Sequence, residues 1–200
     1  MRKLAATFLV VLLASVVPVA TVESVLPAIA QAQDASREAA LILRILSYDR
    51  NLAQRATNGR VAVLIVYQQG NGASEAERSR VVTALNALGA RTTVSNMQAR
   101  AVEHAFRDRA TLVQAARTAG ATAIFVCGGL GGAAQQISQA AREARTLSMT
   151  SESEGVRRGG LGVGLVADGS QVRLVINLPA VEAEGARLDA AVLRLAEVIR

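Results

Sequence analysis

The sequence is poor in the residues that supply covalent, redox and stacking chemistry. Its 200 residues contain one cysteine, one histidine, three prolines and no tryptophan, and aromatic residues make up only 2% of the chain. Because Cys127 is the sole cysteine, no disulfide can form within the chain. Cys127 ends an apolar run, and we expect it to be a buried and unreactive thiol.

Catalytic and metal chemistry have few residues to draw on. His104 is the sole histidine, so a Ser-His-Asp triad would depend on it, yet no serine lies in a Gly-x-Ser-x-Gly motif. His104 alternates with Val102 and Phe106, as a strand residue would. No cluster of histidine, cysteine and carboxylate residues has the spacing of metal ligands. We therefore predict that the protein is not an enzyme and that it has no metal site and no cofactor.

Positive charge beyond Lys3 is carried by arginine alone, which excludes Schiff-base chemistry in the rest of the chain. The formal net charge is +6, but the arginines are scattered and acidic residues lie between them. With no basic stripe and few aromatic residues for base stacking, we expect no nucleic-acid partner.

The first 32 residues have the parts of a secretory signal peptide. Arg2 and Lys3 precede the uncharged residues 4–22, and a small-residue stretch with two Ala-x-Ala sites follows. We predict cleavage after Ala32, with Ala30 as the second choice, and export to the periplasm. The alternative is an uncleaved membrane anchor, because the apolar run approaches the ~20 residues of a bilayer span. Residues 33–200 are then expected to form a single α/β domain.

The remaining chain alternates apolar runs with amphipathic stretches. Residues 61–67 and 122–127 are continuous apolar runs, which are typical of strands buried on both faces of a parallel sheet. Shorter segments complete the pattern: strands at 91–95, 101–106 and 146–150, and helices at 111–118 and 133–145. This order predicts a layered, Rossmann-like α/β fold with a mostly parallel sheet.

Helix starts are marked by capping residues. Asp34 or Ser36 is expected to cap the first helix, whose apolar residues from Ala39 onward would face the core. Ser74 and Glu77 have the spacing of a capping box and are expected to open the next helix.

The C-terminal unit carries the most detailed pattern. Residues 161–166 and 172–177 read as two strands joined by the turn signal Asp168-Gly169, and therefore as an antiparallel hairpin. After Pro179 and a break at Gly185, a closing helix capped by Asp189 is expected. Its buried stripe would contain the apolar residues at spacings of four, three and four: Leu188, Val192, Leu195 and Ile199.

This C-terminal run, from GLGVGLVADG through VRLVINLP to the final Leu- and Ala-rich segment, resembles the YfiR-like family of bacterial periplasmic proteins. The resemblance extends back to about Arg37. It implies a regulatory protein that restrains an inner-membrane diguanylate cyclase, and so lowers cyclic-di-GMP production, by binding the periplasmic part of that partner. Disulfides found in some members cannot be carried over to a chain with one cysteine. A second copy of the chain, forming a homodimer, is a further partner that we consider.

Two regions are candidates for binding. The polar loop at residues 151–160 contains Arg157 and Arg158, which we predict as partner-binding residues; an ordinary solvated loop is the alternative. A competing function is a small ligand-binding module whose site lies at the carboxyl ends of the strands. Its residues would come from the two glycine-rich loops: Gln68, Gly70, Asn71, Gly129 and Gly131.

The second glycine loop also fits a dinucleotide fingerprint superficially. Gly129-x-Gly131-x-x-Ala134 follows a strand and opens a helix, and Glu152 lies about twenty residues further on. The match lies in the middle of the chain, and an exported protein seldom meets free dinucleotide. We therefore expect these glycines to serve a tight turn between strand and helix.

Export predicts a specific N-terminus. The mature protein should begin at Gln33, or at Gln31 if the second site is used, and intact-mass measurement of the exported fraction checks this. A membrane-bound product that retains Met1 would contradict cleavage.

Overall fold

The structure is a computed structural model that describes residues 25–168 and 171–200, with side chains described from residue 33 onward. Most of the predicted signal peptide, and residues 169 and 170 of the hairpin turn, lie outside the described residues. Within the part of the chain that is described, no helix is long and apolar enough to cross a membrane.

The described residues form an α/β fold, as the sequence predicts. In chain order, the strands are β1 (Arg60–Tyr67), β2 (Thr93–Val94), β3 (Met97–Ala105), β4 (Ala121–Val126), β5 (Leu147–Thr150), β6 (Val163–Asp168), β7 (Gln171–Asn177) and β8 (Ala196–Ile199). The helices are α1 (Val25–Ser47), α2 (Leu52–Arg55), α3 (Gly72–Gly89), α4 (Arg109–Ala119), α5 (Ala134–Ala144), α6 (Ser153–Arg157), α7 (Leu178–Ala183) and α8 (Ala190–Leu193).

The described strands form one eight-stranded sheet in the order β2-β3-β1-β4-β5-β6-β7-β8. The pairs β3-β1, β1-β4, β4-β5, β5-β6 and β7-β8 are parallel. The pairs β2-β3 and β6-β7 are antiparallel, and the second of these is the predicted hairpin.

Burial on both faces explains why the central strands are continuously apolar. All six residues of β4 are buried, as are six of the eight residues of β1. The side chains on one face pack against α1 and α3, with Ile65 and Phe125 in that core. Those on the other face, including Leu64 and Ile124, pack against α4 and α5. A parallel sheet covered by helices on both faces needs apolar residues at successive positions.

Helix α1 buries the face that the sequence predicts, with Ala39, Ile42 and Leu46 fully buried. In the uncleaved chain the expected cap is wrong, because α1 begins at Val25 and Asp34 and Ser36 therefore lie inside the helix. Helix α4 ends as its sequence indicates. Gly120 follows it in the left-handed conformation (φ 60°), which glycine adopts without steric cost.

The C-terminal unit confirms the hairpin and corrects the closing helix. Asn177 caps α7 through its side chain, and Gly185 turns the chain in a left-handed conformation (φ 82°). Asp189 caps a helix as predicted, but α8 has only four residues. The chain then forms β8, which pairs in parallel with β7. Leu195 is consequently 73% exposed, so it does not belong to a buried stripe.

A buried carboxylate holds this unit against the parallel strands. Glu184 accepts hydrogen bonds from the backbone N–H of Ser148 (2.8 Å) and from its hydroxyl (2.5 Å). The Ser148 hydroxyl oxygen in turn accepts the N–H of Gly162 (2.8 Å). Burial raises the pKa of Glu184 to about 8, while the bonds from Ser148 oppose that rise.

Two leucines of the C-terminal unit test whether the chain ends in strand β8 or in the predicted buried helix. Leu188 is 7% exposed and Leu195 is 73% exposed. Leu188→Ala should lower the free energy of unfolding by about 2–5 kcal/mol, because it leaves a cavity in the core. The matched change Leu195→Ala should stay within about 0.5 kcal/mol. Urea unfolding measures both; a large loss for Leu195→Ala would favour the continuous buried helix instead.

Candidate functional site

The two glycine-rich loops meet at the carboxyl ends of β1 and β4, as the ligand-site hypothesis expects. The Asn71 side chain donates a hydrogen bond to the Gln68 side chain (3.1 Å). Gly129 adopts a left-handed conformation (φ 87°), and a Cβ atom placed there would lie 2.6 Å from the Asn71 amide nitrogen. Glycine at 129 therefore allows the two loops to approach each other.

Backbone amides in these loops are already bonded to carboxylates of the same chain. Glu77 accepts the N–H of Gly128 (2.7 Å), and Glu152 accepts the N–H of Gly129 (3.2 Å). In the first loop, Glu75 accepts the N–H of Gly70 (2.9 Å). A phosphate at these amides would have to displace the carboxylates, so the geometry disfavours a dinucleotide site. Glu152, which the fingerprint would assign to a ribose, serves the loop itself.

Glu77 is the residue whose role the sequence does not reveal. Asn71, rather than Ser74, caps α3 by accepting the N–H groups of Ala73 and Ser74, so the predicted capping box is wrong. The Ser74 hydroxyl accepts the N–H of Gln68 instead (3.0 Å). Glu77 therefore takes no part in a capping box. Its carboxylate accepts hydrogen bonds from the Ser151 hydroxyl (2.8 Å) and from the Gly128 backbone N–H. One carboxylate thus joins α3 to the segments that follow β4 and β5.

A cleft of about 340 Å³ lies beside Glu77, between α1, α3 and the β6–β7 hairpin. It is lined by charged residues and by apolar ones: Asp34, Ala35, Arg37, Glu38, Leu41, Glu77, Arg80, Ser151, Leu165, Ala167, Gln171 and Val172. Burial and the nearby Glu77 raise the pKa of Glu38 from its ordinary value of 4.5 to about 8, and Arg80 opposes this shift. The surroundings of the cleft therefore favour the protonated form of the Glu38 carboxyl group.

Cys127 lies in the core of the same region and is a buried free cysteine, as predicted. Burial, followed by the charges of Glu77 and Glu38, raises the pKa of its thiol well above the usual range. A thiol held in the protonated form is a poor nucleophile, so the structure gives Cys127 a packing role.

His104 is half-buried on β3, and its Nε2 atom has no hydrogen-bond partner among the described residues. Burial lowers the pKa of His104, and the nearby Arg107 adds to that effect. Across residues 25–168 and 171–200, no group of three or more histidine, cysteine and acidic side chains could hold a metal ion.

The two predicted partner-binding arginines differ in their surroundings. Arg157 ends α6 and forms an ion pair with Glu197 of β8 (2.6 Å). The Arg158 side chain is 86% exposed and contacts Glu154 one turn earlier (2.9 Å). Arg158 and Gly131, from the partner and ligand hypotheses respectively, line one shallow cleft of about 360 Å³.

Comparison with models of known protein families shows to which family the chain is related. A family model described as YfiR/HmsC-like matches residues 35–197, from α1 into β8. The protein belongs to the YfiR/HmsC-like family. Membership confirms the resemblance, both in the C-terminal unit and in the part of the chain that reaches back to about Arg37. Among curated proteins, no sequence matches this YfiR/HmsC-like chain.

Solved structures share the fold. A conserved domain protein from Vibrio cholerae has a TM-score of 0.58 and 18% identity, over 83% of this chain and 60% of that one. The ABC domain in complex with L-Trp from Streptococcus pneumoniae has a TM-score of 0.54 and 13% identity, over 78% and 62% of the two chains. CD0873, a substrate-binding protein with adhesive properties from Clostridium difficile, in a ligand-free, open structure, has a TM-score of 0.52 and 13% identity, over 75% and 57%.

The YfiR/HmsC-like chain spans about three fifths of the length of these structures. At such identities the likeness shows the fold alone.

The raised pKa of Glu38 predicts how stability depends on pH. The native state keeps this proton where the unfolded chain loses it, so the free energy of unfolding should fall as pH rises from 4.5 to about 8. Glu38→Gln, which stays neutral, should remove the share of this fall that is due to Glu38. The raised pKa of Glu184 lowers the free energy of unfolding over the same pH interval, and this part of the pH dependence would remain in Glu38→Gln.

Urea unfolding at pH values below and above this interval measures the effect, with Glu182→Gln on α7 as a control for loss of an exposed carboxylate. Identical pH profiles for the wild type and Glu38→Gln would show that Glu38 ionises normally.

Proposed function

We propose that this protein is an exported, non-enzymatic regulator. It would control an inner-membrane signalling protein, such as a diguanylate cyclase, by binding the periplasmic part of that partner. The single observation that supports this most strongly is the YfiR/HmsC-like family match over residues 35–197. The basic, apolar and Ala-x-Ala parts of the first 32 residues support export.

A regulator without catalytic chemistry acts by binding its target with different affinity in two states. Our candidate contact is α6 and the residue after it, because Arg158 is largely exposed and its contact with Glu154 is an exposed ion pair. Such pairs contribute little to stability, so Arg158 is available to a partner at small cost to the fold. Arg157 is less available, because Glu197 already neutralises it. Arginine at an interface mainly fixes orientation and partner choice.

A small-ligand-binding module is the second candidate function, and the cleft beside Glu77 is the observation in its favour. It is open, lies at the carboxyl ends of the strands, and combines apolar walls with charged residues. The glycine loops first considered for this site have amides that are bonded internally, so a ligand would lie in the cleft rather than on the loops. Genes adjacent to this one distinguish the two functions: a membrane cyclase or sensor kinase favours regulation, and a transporter favours ligand delivery.

Charge reversal at Arg158 tests the partner surface. Arg158→Glu should change the free energy of unfolding by less than about 1 kcal/mol, because it replaces an exposed ion pair with two exposed like charges one turn apart. It should weaken pull-down of the membrane partner and raise cyclic-di-GMP in cells. Arg173→Glu, on an exposed position of β7, makes the same charge change and serves as the matched control.

Arg157 requires a compensated variant. Arg157→Glu alone would place two carboxylates together, whereas Arg157→Glu with Glu197→Arg keeps the ion pair in reverse. If Arg158→Glu and the compensated variant both repress like the wild type, α6 is not the interface. If deletion of the gene leaves cyclic-di-GMP unchanged, the proposal of cyclase control is wrong.

A further inference from the structure

A third cleft, of about 410 Å³, opens at the amino ends of the parallel strands, at the opposite end of the sheet from the glycine loops. It lies where β1 and β4 begin and where α4 ends. Its lining is polar and basic: Thr57, Asn58, Arg60, Ala62, Arg100, Arg117, Thr118, Ala119 and Gly120. We call it the arginine cleft.

Three arginines, and no acidic residue among the described residues, line the arginine cleft. Register places Arg100 of β3 beside Ala62 of β1, two residues after Arg60, and Arg117 reaches the cleft from α4. Like charges gathered around one open space repel each other, and the surrounding protein concentrates their field in the cleft. An anion from outside the chain would relieve that repulsion.

Internal partners account for these charges incompletely. Among the described residues, the exposed side chain of Arg60 forms no hydrogen bond and no ion pair. Arg100 donates to the backbone carbonyl of Ala119 (3.0 Å), which is neutral. Arg117 lies 3.7 Å from Glu143, a carboxylate that also faces Arg109 at 4.0 Å.

The end of α4 explains only part of the cluster. Carbonyl groups at a helix C-terminus attract cations, and this gives Arg100 and Arg117 a structural reason to lie near Ala119. Arg60 belongs to β1, and among the described residues its side chain donates no hydrogen bond to those carbonyls, so the helix end does not account for it. Arg60 is therefore the arginine of the cleft that no contact among the described residues explains.

We propose that the arginine cleft binds a phosphate-bearing anion. Guanidinium groups donate paired hydrogen bonds to phosphate oxygens, and they stay charged at every physiological pH. Thr57, Thr118 and Asn58 add hydroxyl and amide donors around the same space. The phosphate could belong to a free phosphorylated molecule or to a lipid headgroup, since both offer the same oxygens. This inference is independent of the proposed regulatory function.

Pyrophosphate is the probe for the free-anion source, with binding to the purified protein measured by isothermal titration calorimetry. Arg60→Gln/Arg100→Gln should weaken pyrophosphate binding by about tenfold or more, because charge-assisted bonds to phosphate are lost. The control Arg91→Gln/Arg173→Gln removes the same charge from exposed positions outside the cleft lining and should bind like the wild type.

Vesicles are the probe for the headgroup source. Co-sedimentation with vesicles of phosphatidylcholine alone is compared with vesicles of equal parts phosphatidylcholine and phosphatidylglycerol. Binding to the anionic vesicles that the cleft variant loses and the control keeps would assign the site to a headgroup. The same pattern with pyrophosphate alone would assign it to a free anion, and either result supports the proposal.

Two results would overturn it: the wild type binds neither probe, or the cleft and control variants lose binding equally, which shows only a general charge effect. Arg60→Gln by itself removes no internal hydrogen bond. If the double variant is unstable, this single variant therefore supplies the same comparison.

Discussion

Two buried carboxylates, Glu184 and Asp49, hold the C-terminal unit against the rest of the fold. Strands β5 and β6 share only two registered residue pairs, so the junction between the two parts of the sheet is narrow. Glu184 strengthens it by binding Ser148 of β5, whose hydroxyl oxygen accepts the N–H of Gly162. Asp49 forms a buried ion pair with Arg55 and also accepts the N–H of Arg187 (2.8 Å). Removing one partner from such a network leaves an unpaired buried group, which costs far more than a surface pair contributes.

Much of the fold can be predicted because each signal is local. Continuous apolar runs identify β1 and β4, Gly120 stops α4, and the C-terminal hairpin follows from two strands around one turn. The predicted closing helix at the end of the chain is wrong for a physical reason. A short apolar pattern fits either a helix or a strand, and the free edge of β7 decides between them by pairing with β8. Asp189 still caps a helix, but the helix has four residues because the strand begins so soon after it.

The candidate site is harder to predict than the fold because its bonds join distant parts of the sequence. Sequence reasoning brings the two glycine loops to one edge of the sheet, and the structure places Asn71 and Gly129 together there. It does not reveal that Glu77 binds an amide 51 positions away, because Ser74 and Glu77 match a local capping box equally well. Asn71 is the alternative cap that could have been considered. Two candidate caps three residues apart cannot be ranked without knowing which other groups need partners.

The arginine cleft and the cleft beside Glu77 lie at opposite ends of the central strands, which argues against direct coupling between these two sites. Arg60 begins β1 and the glycine loop follows its end, so a strand of eight residues separates the arginine cleft from the loops and from Glu77. At the usual rise of a strand this is roughly 25 Å. Coupling between sites requires an element with two alternative arrangements that both sites bias. Strands β1 and β4 are packed on both faces and paired along their length, which makes them poor candidates for such an element. The cleft beside Glu77 is different: it is bounded by α1 and the hairpin, which reach it from outside the central strands. If the proposed regulation uses two states, the elements around the cleft beside Glu77 are therefore better placed to differ between those states than the strands that begin at the arginine cleft.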